Sequence, residues 1–157
     1  MLVARQDDAI TEIIIREAIT IHRDLGPGLL ESAYEAFLAF ALQECGLRVE
    51  RQVPVPIRYR GQTVEVGYRI DLLVERSVVV EIKSIDKLAP SHTQQALTHI
   101  RLGGYPTGLL LNFGAGLLRD GLKRLVNDRP CEGGSPAVLP SEPSLPSNGQ
   151  TRGPRRA

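Results

Sequence analysis

The chain has no tryptophan, and aromatic residues make up only 4% of it, so its hydrophobic share of 42% is carried by aliphatic side chains. That share, in 157 residues, suits one soluble globular domain with a sizeable core. Cysteine is nearly absent. Cys45 and Cys131 stand far apart with no Cys or His at ligand spacing, which excludes a disulfide framework and a zinc site and makes a reduced cytoplasm the simpler setting. No apolar run approaches the ~20 residues that cross a bilayer. Arg5, Asp7 and Asp8 interrupt the start, so the apolar core of a signal peptide is missing as well. Neither sign of charge dominates: 19 basic against 18 acidic residues leave a net +1. A strongly polycationic binder is thereby excluded, although a local basic groove would not show in that sum. The chain also lacks internal repeats and a phosphate-binding glycine loop.

What is present is a series of periodic segments. Ile10, Ile13, Ile14, Ala18 and Ile21 recur at helical spacing between Asp7 and Asp24, and Gly26-Pro27-Gly28 stops that helix. A second amphipathic helix is predicted from about Leu30 to Cys45. Its core face would hold Leu30, Ala33, Tyr34, Phe37, Leu38, Ala41 and Leu42, with Gly46 as the stop. Val53, Val55, Ile57 and Tyr59 alternate with Pro54 and Pro56, which reads as an edge strand because proline cannot donate to a ladder. Arg60-Gly61-Gln62 turns the chain into a strand from Thr63 to Glu75. Val78 to Lys83 reads as the next strand, Ser91 to Leu102 as a helix closed by Gly103-Gly104, and Leu109 to Leu111 as a buried strand. The helix would be the crossover that makes those two strands parallel. Leu117 to Asn127 fits either period. After Arg129, six prolines mixed with Ser and Gly leave too little apolar surface to offset ordering entropy. Residues 129–157 are therefore expected to be a disordered tail, and residues 1–128 the domain. The order of elements implies an α/β fold with a mixed sheet flanked by helices.

Three charges fall inside the apolar strands. In the first strand Val64, Val66, Tyr68, Ile70, Leu72 and Val74 share one face and leave Arg69 and Asp71 on the other; in the second, Val78, Val80 and Ile82 leave Glu81 and Lys83 together. If the apolar faces coincide, the connecting loop has an odd length, as Glu75-Arg76-Ser77 allows, and Asp71 stands across from Glu81. Directly opposed Cβ atoms in an antiparallel pair are about 4.5–5.5 Å apart, close enough to share one cation and too close for two bare carboxylates. A hard ion such as Mg²⁺ would relieve that repulsion. Lys83 is then placed to orient or deprotonate a water, or to stabilise charge on a phosphate. A solvated structural ion pair is the plainer reading of the same three residues.

Asp71 followed by Glu81-Ile82-Lys83 on the adjoining strand resembles the D…(D/E)xK core of the PD-(D/E)XK nuclease superfamily, whose fold is restriction-endonuclease-like. Gly28-Leu29-Leu30-Glu31-Ser32-Ala33-Tyr34 is similar to the motif that names the GxxExxY proteins of that superfamily. The likeness continues through Arg69 to Val74, Gln95 and Leu111-Asn112-Phe113-Gly114, covering about residues 10 to 127. The resemblance implies a Mg²⁺- or Mn²⁺-dependent hydrolase of nucleic-acid phosphodiesters. Asp71, Glu81 and the Ile82 carbonyl would hold the metal, and Lys83 would position or activate the attacking water. Glu31 would approach the metal from the second helix, unless it is an ordinary first-turn carboxylate. Gln95 resembles the glutamine of a QxxxY element that supports the site or contacts substrate. Here the fifth position is His99, on the same helix face, where it would itself reach a phosphate. Ile70 stands where the motif often has proline. A module that kept the fold without cleaving, and binds nucleic acid or a protein, is the competing function.

Overall fold

The computed structural model describes residues 6–65 and 67–128; the Pro-rich tail expected to be disordered, and Cys131 with it, lies outside the described residues. The first helix, α1 (Gln6–Leu25), carries Asp7 and Asp8 in its first turn and His22 and Arg23 in its last, so both ends suit the helix dipole. Gly26, at φ 70°, ends it by donating its N–H to the His22 carbonyl. The second helix, α2 (Glu31–Glu44), buries Tyr34, Glu35, Leu38, Ala39 and Leu42. This differs from the expected stripe: Leu30 and Phe37 are exposed, and Ala39 and the charged Glu35 take up inward positions. Periodicity alone could not choose between two adjacent apolar faces of this helix.

The predicted edge strand divides at Pro56 into β1 (Val49–Pro54) and β2 (Ile57–Tyr59), and the strand predicted from Thr63 divides into β3 (Gln62–Val64) and β4 (Arg69–Val74). β2 and β3 form a separate two-stranded ribbon. The rest follow as β5 (Val78–Lys83), α3 (Pro90–Gly103) and β6 (Thr107–Asn112). The ambiguous stretch is a 3-10 turn, Leu118–Gly121, and β7 (Leu122–Val126). The main sheet runs β1-β4-β5-β6-β7, with β1, which ends at Pro54, at an edge as predicted. β5 and β6 are parallel and joined through α3, as predicted; the other pairs are antiparallel.

Both faces of this sheet are covered, so the polar-face expectation for β4 and β5 does not hold. On one side α1 and α2 bury Ile14, Tyr34, Leu38 and Leu42 against Leu72, Val80, Ile82, Leu109 and Leu111. On the other, α3 buries Ala96 and Ile100 against Val53, Leu73 and Val79. The hairpin loop Glu75-Arg76-Ser77 has the predicted odd length, with Val74 across from Val78 and Leu72 across from Val80. Beyond that pair the alternation of β4 slips. Leu72 packs toward α1 and α2 while Ile70, two residues earlier, packs with the α3 cluster. Asp71 sits at the slip.

Candidate active site

Continuing the β4–β5 register would face Ile82 with Ile70, but the Ile82 N–H donates instead to Asp71 Oδ2 at 2.8 Å. A carboxylate has taken a ladder donor, so the strands part where the charges collect. The Asp71 carboxyl is pushed up to about 6, first by burial and then by the charge of Glu81; the Ile82 N–H and Lys83 pull it down, and Glu35 pushes it up further. Asp71 thus feels the charges of Glu81 and Lys83, but the expected facing pair does not form: the β4–β5 register ends at Leu72 and Val80, Asp71 lines the cavity beside Glu31, and Glu81 turns to His99 on α3.

Glu81 points to the α3 side. It is 3% exposed, and its Oε1 lies 2.6 Å from Nδ1 of His99, itself 2% exposed. With a carboxylate oxygen accepting, Nδ1 carries the proton. His99 is therefore a buried partner of Glu81, packed edge-on to the Tyr68 ring, rather than a side chain presented to solvent. Gln95 is exposed on the same helix and lines a cavity of about 400 Å³ with Tyr68, Ser91, Gln94, Thr98 and His99.

On the α2 side, Glu31 shares a cavity of about 450 Å³ with Asp71, Ile82, Glu35 and Gln52. Glu31 Oε1 accepts the Ser84 N–H at 3.3 Å, which ties the start of α2 to the end of β5. The other motif residues support that placement. Gly28, at φ 111°, occupies backbone space that side chains rarely enter, and Tyr34 Oη donates to the Gly26 carbonyl while accepting the Leu29 N–H. Tyr34 also stacks on Phe113 at 4.3 Å, so it serves packing, as expected of it.

Two residues at the site were not singled out from sequence. Glu35 is 5% exposed and accepts from Arg51 Nε at 2.8 Å and Gln52 Nε2 at 2.7 Å. Its signal was available: it stands four residues after Glu31, on the same helix face. Gln52 has none, because its role depends on a left-handed backbone, φ 52°, inside a strand. Asn112, part of the Leu111-Asn112-Phe113-Gly114 likeness, is buried; its side chain accepts from the Ile85 N–H at 3.0 Å and donates to the Ile85 carbonyl at 2.8 Å, fixing the loop after Lys83.

The donor set suits a hard cation. Asp71 and Glu81 each have one oxygen held by the protein, and among the described residues the other oxygen of each accepts no hydrogen bond apart from a 3.5 Å approach of Gln52 to Asp71 Oδ1. Among the described residues, however, no group of three or more His, Cys, Asp or Glu side chains converges on one point. Carboxylate oxygens without Cys or His ligands suit Mg²⁺ or Mn²⁺ better than zinc.

A mixed sheet between helices, parted over two carboxylates and a lysine, defines a restriction-endonuclease-like α/β domain. The family model for the PD-(D/E)XK nuclease superfamily matches residues 8–125, and the chain belongs to that superfamily. Searches of curated proteins and of solved structures return no match. Among the described residues no helix is long and apolar enough to cross a membrane.

Proposed function

We propose that this protein is a Mg²⁺- or Mn²⁺-dependent nuclease that hydrolyses phosphodiester bonds of DNA or RNA. The observation that carries the reading is that Asp71, where β4 and β5 part, feels the charges of both Glu81 and Lys83, in a chain of this superfamily. Asp71, Glu81 and the Ile82 carbonyl would hold the ion, with Glu31 reaching the same cavity. When bound, the ion supplies positive charge to a water and to the phosphate. Lys83, with three donors and no acceptor while protonated, orients that water and offsets charge growing on the phosphate. His99 holds Glu81 in place, and Gln95 lies where substrate would pass. We also assign the chain to the GxxExxY group, supported by the linked roles of Gly28, Glu31 and Tyr34 in presenting the start of α2 to β5.

Incubating the purified protein with single- and double-stranded DNA and RNA, with Mg²⁺ or Mn²⁺, tests the proposal. Cleavage is expected, and Lys83→Ala and Asp71→Asn should each abolish it; cleavage that both variants retain would sink the assignment. A binding module that does not cleave is the second reading, favoured by the absence of a three-side-chain ion cluster among the described residues. Metal-independent nucleic-acid binding without turnover would select it.

A further inference from the structure

The β2–β3 ribbon contributes almost nothing to the core. All of β3 is exposed, as are Arg58 and Tyr59 on β2. Tyr59 is 68% and Val64 51% exposed. A two-stranded ribbon without a packing partner is marginally stable in water, so a ring and an aliphatic side chain displayed on it gain little for the fold.

Charge is concentrated on the same segment. From Ile57 to Arg69 the ionised residues are Arg58, Arg60, Glu65 and Arg69, a net +2, so with +1 for the whole chain the remainder sums to −1. Among the described residues, Arg58, Arg60 and Arg69 form no ion pair. The Arg60 guanidinium lies 5.3 Å from the Tyr59 ring centroid, and the ring remains largely exposed. Cations interleaved with an exposed aromatic ring match a phosphate backbone carrying unstacked bases.

The ribbon is also joined to the carboxylate site. The Val55 N–H donates to the Tyr68 carbonyl at 2.9 Å and closes its base, and β4 begins at the next residue, two positions before Asp71. Tyr68 lines the α3-side cavity with Gln95 and His99, and His99 is bonded to Glu81, so the ribbon's base adjoins that side of the site.

We infer that the β2–β3 ribbon is an arm that binds an unpaired nucleic-acid strand, with phosphates on Arg58, Arg60 and Arg69 and a base stacked on Tyr59. The identity of the ligand rests on the nuclease reading. An unpaired strand is specified because stacking on Tyr59 needs a base face that a duplex keeps covered.

Fluorescence anisotropy of the full chain with labelled single-stranded DNA and RNA, in EDTA so that nothing is cleaved, tests the arm. Tyr59→Ala should weaken binding roughly 5- to 100-fold. The Arg58→Ala/Arg60→Ala double variant should weaken it and flatten the slope of log K against log salt by about 1.4, since each phosphate that an arginine neutralises on a single strand adds ~0.7 to that slope. Both should melt like wild type, since the replaced side chains are exposed. A duplex of the same sequence should bind more weakly, and comparison of the DNA and RNA arms identifies which sugar is taken. Unchanged affinity and salt slope in these variants, tighter binding of the duplex, or a wild-type dimer that Tyr59→Ala dissolves would overturn the inference. Asp71→Asn separates it from the nuclease reading. Ribbon-dependent binding without cleavage by wild type keeps the arm and removes the nuclease; cleavage with ribbon-independent binding removes the arm alone.

Discussion

Asp71→Asn is expected to disable the site and stabilise the fold in the same substitution. An unfolded aspartate ionises near 3.8, whereas burial and Glu81 hold the Asp71 carboxyl near 6 in the folded chain. Between those values the folded state binds the extra proton, so stability falls as pH rises from about 4 to 6, and the deficit persists above that window. Undamped, the displacement corresponds to about 3 kcal/mol. Asp71 is only half-buried, and allowing for solvent screening leaves about 1–2 kcal/mol. Asparagine keeps an oxygen for the Ile82 N–H and removes the charge. Without metal, thermal melts at pH 8 should place the variant roughly 3–10 °C above wild type, and at pH 4 the two should coincide. Mg²⁺ at ten times its Kd should return about 1.4 kcal/mol to wild type and nothing to the variant. A difference of equal size at pH 4 and pH 8, or a variant less stable at pH 8, would refute the reasoning.

Other substitutions probe the frame around the site. His99→Ala should cost about 3–5 kcal/mol, because it opens a cavity and strips a buried carboxylate of its partner; denaturant titration measures this, and His99→Gln should recover part of it. Tyr34→Phe keeps the stack on Phe113 but loses the hydroxyl bridge between Gly26 and Leu29. A loss of about 1–3 kcal/mol, with faster hydrogen exchange at the Leu29 and Ser84 amides, is expected. At Gly114 an added Cβ would lie 2.2 Å from the Ile85 carbonyl oxygen, so Gly114→Ala should destabilise by about 2–4 kcal/mol in the same titration and loosen the loop after Lys83.

Local signals reach a long way into this fold. The ends of α1 and α3, the edge position of β1, the parallel crossover and the odd hairpin loop are consequences of dipoles, glycine, proline and the period of two, all of which act between near neighbours. The face that α2 buries was less legible, since Leu30 and Phe37 are as apolar as the residues that displaced them and only the partners across the interface decide. The ribbon was missed because Tyr59 and Val64 alternate like core residues, yet both are exposed.

For the site the division is similar. Residue order alone singles out Asp71, Glu81 and Lys83 as candidates, because charge inside apolar strands is costly unless it is paired or holds an ion. Parity and loop length also predict Asp71 across from Glu81, but the observed register ends one pair short, at Leu72 and Val80. Where the two carboxylates go is a property of the packed molecule. Alternation would keep Asp71 on the α3 side with Leu73; instead β4 slips at Asp71, which takes the Ile82 N–H and opens toward Glu31 and Glu35, while Glu81 turns back to His99. A slip of that kind depends on layers packed against both faces of the sheet at once, and no window of neighbouring residues contains that information.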